Sequence, residues 1–343
     1  MRAVVAREGA LHLEERPDPT PGPGEVVASV LACGICGSDL HYLAHCRQTV
    51  ELARSLGAPT AELERAIAQG VVLGHEFVAR IEEFGPDTRR ALRAGDRVCS
   101  MPFVTRSGVR VLVGSNPETS GAFAESMVLT ESSLMRVDDA LPDDAAAWVE
   151  PLAIAVHAVA RAELRPDDRA VVVGCGPIGL ATIAVLRAIG VRAIVASDLS
   201  PKRRELAGVA GAREVVDPRR ASPLAQTAGR PGRSIVFENT GAAGVLDRLV
   251  LEAPAGARIV VVGIAAGHER FLPMLAISKE LSFVFAIYYE PAEFVHAHEL
   301  LRRGALDWRA LVTGRVGLAG VAQAFRDLAD PERHAKIVMD PRL

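Results

Sequence analysis

The chain has 343 residues, enough for two packed domains, and 49% of them are apolar against 24% charged, the balance of an ordinary globular protein. The formal net charge is −3 with acids and bases interspersed, so there is no Lys/Arg block to bind nucleic acid. Aromatics at 4% offer no base-stacking platform.

Taken in chain order, the opening stretch is broken by Glu8, Glu14 and Glu15 and lacks the apolar run of a secretory signal. Residues 1 to about 150 read as short strands cut by Gly/Pro turns, for instance 25–30, 78–81 and 96–98, the rhythm of a β-rich barrel or sandwich. The segment 47–70 departs from it. Val50, Ala53 and Leu56, then Leu63, Ala66 and Ile67, recur at helical spacing, and Gly57 and Pro59 split them, which predicts two short helices.

After 150 the rhythm changes. Continuous apolar strands at 170–173, 193–196, 234–237 and 258–262 alternate with helices at 178–189 and 201–210. That alternation predicts a parallel sheet covered on both faces, up to about residue 290. The tail adds a helix near 292–303 and a strand at 335–339, which pattern alone assigns to neither domain. The longest uncharged run, 170–186, contains Gly174, Gly176, Pro177 and Gly179, and so suits a strand–turn–helix better than a membrane span. Five cysteines, at 33, 36, 46, 99 and 175, are odd in number and scattered; they predict a reducing, cytoplasmic setting rather than a disulfide framework.

The first chemical signal is Gly174-x-Gly176-Pro177-Ile178-Gly179, set between an apolar strand and a helix. In that context Gly174 makes the tight turn, Gly176 lets backbone approach a pyrophosphate, and Gly179 packs helix against strand. Phosphates would sit on the unpaired N–H groups of the helix start. Asp198 lies about 20 residues beyond and would accept from the adenosine ribose hydroxyls, which favours NAD(H) over NADP(H). Lys202 and Arg203 offset part of the repulsion toward an extra phosphate. A glycine turn with no nucleotide is the bland alternative.

The second signal is a set of metal-binding side chains: Cys36, His75, Glu76 and Glu150. Zinc accepts mixed sulfur, nitrogen and oxygen donors in a tetrahedron, and a catalytic site keeps one position open. The spacing is far too long for a local zinc finger, so composition alone does not show convergence. Cys33-x-x-Cys36 also admits a redox-pair reading, but that motif normally opens a helix beside a βαβ unit.

The stretch Cys33-Gly34-Ile35-Cys36-Gly37-Ser38-Asp39-Leu40-His41-Tyr42, followed by Gly74-His75-Glu76, Gly95-Asp96-Arg97-Val98, Gly121-Ala122-Phe123-Ala124-Glu125, Glu150-Pro151-Leu152 and the glycine turn, resembles the zinc-containing medium-chain alcohol dehydrogenases nearly end to end. The Gly-Ser-Asp-x-His-Tyr and Glu-Pro-Leu forms are most similar to the sorbitol, threonine and butanediol dehydrogenase branch. The resemblance implies an α/β chain: a GroES-like β-rich catalytic domain (1–153 and 291–343) and a Rossmann NAD-binding domain with a doubly wound parallel sheet (154–290). It implies one catalytic zinc on Cys36, His75 and Glu150, with Glu76 as an alternating ligand or water partner. Asp39 would orient His75, while Ser38 and His41 would carry the proton out. Gly174, Gly176, Pro177, Ile178, Gly179, Asp198 and Arg203 would hold the cofactor. A homodimer or homotetramer joined through the Rossmann sheets is expected, as are a small alcohol or carbonyl substrate and no nucleic-acid or membrane partner.

Three departures qualify this. Family members often carry four closely spaced cysteines on a structural zinc, whereas 98–121 holds only Cys99, so no structural zinc is expected. The segment between His41 and Gly74 is longer than the family pattern and reads as a lid, a subunit contact or a surface insertion. Polyol dehydrogenases of the branch place an Arg after a Phe in the strand before the tail; here 283–289 reads FVFAIYY, which favours a less polar substrate. The alternatives are a zinc-independent quinone or enoyl reductase and a non-catalytic nucleotide-binding protein. Of the remaining candidates, His45 and Cys46 read as incidental, His157 and Trp148 as packed core, Lys336 as a solvated strand end or a phosphate contact, and Glu238 as structural or cofactor-adjacent.

Overall fold

The computed structural model describes every residue except 107, 228–231 and 266. Two units result, Met1–Glu150 with Val312–Leu343, and Pro151–Leu311. The sequence reading returned the chain to the first unit at 291, but the return falls at Val312. Helix Pro291–Arg302 stays with the second unit, and its Glu293 Oε2 accepts from His157 Nδ1 of helix Val149–Arg161 at 2.9 Å. This contact ties the helix to the second unit.

The spine of the first unit is strand Glu25–Gly34. It pairs antiparallel with Glu76–Phe84, with Ser126–Thr130 and, at its last residues, with Lys336–Met339. Val26, Ala28 and Val30 on this strand and Phe77, Ala79 and Ile81 on its neighbour are buried in one core, and the strand is buried along its whole length except at the part-exposed Ser29. The β-rich reading of this part holds, and the strands expected at 25–30, 78–81 and 96–98 lie within or beside Glu25–Gly34, Glu76–Phe84 and Arg97–Ser100.

Two helices do interrupt the strands, Gly37–Ser55 and Ala61–Gln69. The first begins ten residues before the expected segment, because Cys36 caps it and Asp39 closes the box by accepting from the Cys36 N–H. In the 98–121 stretch, Phe103–Arg106 and Val109–Leu112 form an antiparallel hairpin. Arg110 covers the Phe103 ring at 4.4 Å and Arg106 Nε pairs with Glu25 at 3.0 Å.

The second unit is a six-stranded parallel sheet in the order 214–216, 194–197, 169–173, 234–238, 258–261, 282–285. Numbered along the chain this is 3-2-1-4-5-6, the doubly wound order with its switch point beside the first strand. The last strand stops at Phe285, shorter than the 283–289 run read as one strand. Among the described residues no helix is long and apolar enough to cross a membrane.

Candidate active site

Gly34 is the residue about which the site is built. It lies opposite Glu76 on one neighbouring strand and Val338 on the other. A Cβ there would run into Glu76 Oε2 and stand 2.8 Å from Lys336 Cε. The missing side chain leaves room for Lys336 Nζ to pair with Glu76 Oε2 over the strand, while Nζ also donates to the Ile35 carbonyl at 3.0 Å. Both partners are 1% exposed, and Nζ sits 5.5 Å from the Trp148 ring. Burial alone would push Lys336 down, but Glu76, with Cys36 and Asp39 behind it, holds the ammonium above its ordinary value. Glu76 Oε1 is buried without a partner among the described residues, as is Trp148 Nε1.

After Gly34 the chain turns into the helix capped by Cys36. Asp39, 2% exposed, accepts the Cys36 N–H on Oδ2 at 2.9 Å and turns Oδ1 toward His75 Nδ1 at 3.4 Å. His75 Nε2 stands 3.3 Å from Ser38 Oγ, and Cys36 is within hydrogen-bonding reach of the same imidazole. Burial works against charge on His75, but Asp39 and Cys36 outweigh it and hold the imidazole well above its usual range. Gly74, just before it, has φ +97° and no room for a Cβ, which would lie 2.8 Å from Phe123 Cδ1. His75 therefore enters the strand at an angle only glycine permits.

In the second unit the glycine turn has the expected form. Gly174 has φ +88° and a Cβ there would meet Thr240 Cγ2 at 2.6 Å. A Cβ on Gly179 would collide with the Gly174 carbonyl, whereas Gly176 faces open space at the cap of helix Pro177–Ala188, with Pro177 and Ile178 in its first turn. Asp198 accepts the Cys175 N–H on Oδ2 and the Ser200 N–H on Oδ1, each at 2.8 Å. Its carboxylate is thus fixed in place against the glycine turn. Arg203 donates its backbone N–H to Ser200 Oγ at 3.1 Å, and its Nε is buried without a partner among the described residues. Glu238 is taken up by its own turn, accepting from the N–H groups of Thr240 at 2.7 Å and Gly241 at 3.1 Å.

Comparison with known proteins places this geometry. Residues 22–139 match the alcohol dehydrogenase GroES-like domain and 177–303 the zinc-binding dehydrogenase domain. The chain is 31% identical to an L-threonine 3-dehydrogenase of Streptomyces avermitilis, over 99% of each chain. The chain belongs to the zinc-type medium-chain alcohol dehydrogenases. It is also 31% identical to a (R,R)-butanediol dehydrogenase of Bacillus subtilis strain 168, covering 96% of this chain and 95% of that one. A crystal structure of 2R,3R-butanediol dehydrogenase from Bacillus subtilis superposes with a TM-score of 0.84 at 29% identity, covering 99% of both chains.

Within this family frame the expected site is assembled in part. Cys36, Asp39, Ser38 and His75 meet. Among the described residues, however, no three His, Cys, Asp or Glu side chains form a group able to hold a metal ion. Glu76 is turned to Lys336, and Glu150, buried in the first turn of Val149–Arg161, is not drawn into a three-ligand set. Both ring nitrogens of His41 are buried without a partner among the described residues. Lys336 is not the solvated strand end the sequence implied. Its burial follows from Gly34, and an apolar strand pattern with one Lys at its start carries no sign of an acid so far back in the chain.

Proposed function

We propose that the chain is an NAD(H)-linked dehydrogenase that interconverts a small secondary alcohol and its ketone at one zinc ion. The observation that carries this reading is the bridge Asp39 makes between the Cys36 N–H and His75 Nδ1. It sets a thiol and an imidazole side by side, a soft and a borderline ligand of the kind zinc takes. The orphaned Glu76 Oε1 adds a buried acceptor next to them. Cys36 and His75 would hold the ion, Glu150 is the proposed third donor, and Glu76 an exchanging one.

Zinc held there supplies the Lewis acidity that eases removal of an alcohol proton, and the nicotinamide ring is the hydride acceptor. The protein's own part is placement and proton handling. Asp39 faces His75 Nδ1 and so orients the ring. Ser38, whose hydroxyl stands at His75 Nε2, is placed to receive the alcohol proton, and His41, one turn along the same helix, to pass it on.

For the cofactor, the pinned carboxylate of Asp198 supports NAD(H): its position is set by two backbone donors before any ligand arrives. For the substrate, butanediol and threonine, named for two similar enzymes, both carry hydroxyl on a secondary carbon. For assembly, a homodimer is supported by the outer strand Ser282–Phe285, which ends its sheet. Phe285 (69% exposed) lies on it, and Met274 (71%) and Ile277 (75%) on the helix Pro273–Ser278 that precedes it in the chain. A second copy pairing on that edge would cover both the apolar side chains and the unpaired backbone.

The test is metal analysis of the purified protein combined with a panel of secondary alcohols, vicinal diols and L-threonine against NAD⁺ and NADP⁺. One zinc per chain and NAD⁺ reduction are expected, with Cys36→Ala losing both zinc and turnover while still binding NAD⁺. Turnover persisting in metal-free Cys36→Ala would point to the zinc-independent reductases, and zinc with no turnover on any substrate to a binding protein.

A further inference from the structure

Strands Ile194–Ser197 and Glu214–Val216 run side by side and parallel, paired from Val195 with Glu214 to Ser197 with Val216. The next residue on each is an aspartate, Asp198 and Asp217, so the acid set against the glycine turn has a second acid beside it. Asp198 and Leu199 lie past the last pair of this ladder, and their carbonyls are met by two arginines. Arg204 Nη1 donates to the Asp198 carbonyl at 2.8 Å and to the Leu199 carbonyl at 2.9 Å, and Arg219 Nη2 donates to the Leu199 carbonyl at 2.9 Å. Asp217 gathers both guanidinium groups. Its Oδ1 accepts from Arg219 Nε at 2.9 Å, its Oδ2 from Arg219 Nη2 at 2.6 Å, and Arg204 Nη1 stands 3.5 Å from Oδ2. The Arg219 contact is a fork on a carboxylate, the strong geometry for such a pair. Arg219 first, and Arg204 more weakly, hold the Asp217 carboxyl below its ordinary value, so it stays charged. The turn is itself anchored: Arg248 of helix Val245–Glu252 donates to the Pro218 carbonyl at 2.7 Å.

We propose that Asp217 is a positioning residue for the cofactor: it holds Arg204 and Arg219 against the carbonyls of Asp198 and Leu199, and so fixes the carboxylate that accepts from the adenosine ribose. This rests on the NAD(H) reading given above. The N–H groups of Cys175 and Ser200 fix the side chain of Asp198, and Arg204 fixes the other end of the residue, its carbonyl. With both ends held, the ribose hydroxyls meet an acceptor that is ordered before binding, and no ordering cost is subtracted from affinity. Asp217 also answers the charge of the two cations. While they are paired with it, Asp198 keeps its repulsion toward an extra ribose phosphate. A neutral residue at 217 leaves Arg204 and Arg219 uncommitted beside Asp198, where they attract that phosphate, so affinity is lost for NAD⁺ and not for NADP⁺.

The experiment uses the full chain and three variants, Asp217→Asn, Asp217→Glu and Arg219→Met. The last changes a side chain that is 60% exposed and keeps the test open should Asp217→Asn not fold. The first readout needs no ligand: hydrogen exchange at the Cys175 and Ser200 amides, the two donors to the Asp198 carboxylate. It should speed up about ten-fold in Asp217→Asn and about three-fold in Arg219→Met. The second is titration with NAD⁺ and with NADP⁺. Affinity for NAD⁺ should fall about ten-fold in Asp217→Asn, with no loss for NADP⁺. Asp217→Glu keeps the charge and should stay within about three-fold of the parent in both readouts. On an Asp198→Ala background, Asp217→Asn should cost no further NAD⁺ affinity, because Asp217 acts through Asp198. Unaltered exchange in Asp217→Asn overturns the role, as do equal losses for the two dinucleotides or equal damage from Asp217→Glu and Asp217→Asn. Faster exchange in Asp217→Asn of a chain whose parent binds neither dinucleotide would keep the clamp and overturn the NAD(H) reading instead.

Discussion

Lys336 and Glu76 form a buried ion pair across Gly34, the one position on the intervening strand end that leaves them room. Removing one partner strands the other charge away from water, which costs about 3–5 kcal/mol. Lys336→Met is expected to lower unfolding free energy by that amount in urea titration. Combining it with Glu76→Leu should recover most of the loss, since an apolar pair leaves no charge uncompensated. Gly34→Ala should cost roughly 1–3 kcal/mol by overpacking the same spot.

Metal content should follow the hairpin Phe103–Arg106/Val109–Leu112. With Arg110 on Phe103 inside the lobe and Arg106 on Glu25 of the spine strand, the hairpin is held by side-chain contacts. Elemental analysis should return one zinc per chain, and a chelator should abolish turnover. Hydrogen exchange over 103–112 should not change when the metal is stripped; faster exchange there would mean a second structural ion.

Replacing Asp198 by Ala removes the carboxylate that repels a ribose phosphate and leaves Arg203 near it. The ratio of kcat/KM for NAD⁺ over NADP⁺ should fall at least ten-fold, about 1.4 kcal/mol. An unchanged ratio would place cofactor choice elsewhere.

Stability in acid should depend on Asp168. Despite burial, Arg233 holds its carboxyl below the ordinary value, with Nη2 at 2.7 Å. A lowered folded pKa means the pair stabilises fully above the unfolded value of about 3.9 and is lost as pH falls through the folded one. Arg233→Met should cost roughly 2–3 kcal/mol at pH 7. Below about pH 4 the gap between variant and parent should narrow; a gap independent of pH would remove the ion pair as its cause.

Phe285→Glu puts a charge on the outer sheet edge. Light scattering should show a dimer for the parent and a monomer for the variant, with the same far-UV spectrum. A monomeric parent would overturn the edge-to-edge dimer.

The second unit was legible almost strand by strand, because parallel strands buried on both faces are uninterrupted apolar runs and the glycine turn has one structural context. The local parts of the site were legible for a similar reason: Cys36, Ser38 and Asp39 sit within one cap, and Asp39 does face His75. What stayed hidden depended on distance along the chain. Lys336 meets its acid only because two strands flank Gly34. The helix start at Gly37 was masked because Gly-Ser-Asp resembles a turn until the Asp39 carboxylate is seen accepting from Cys36.

Gly34, Glu76 and Lys336 are bound to a common fate. A side chain on the first, or a neutral residue at either of the others, leaves the remaining two in a worse position than before. Lineages of this chain can drift freely around the trio but can exchange the acid and the base only together, so a homologue that lacks one of the two charges should lack both.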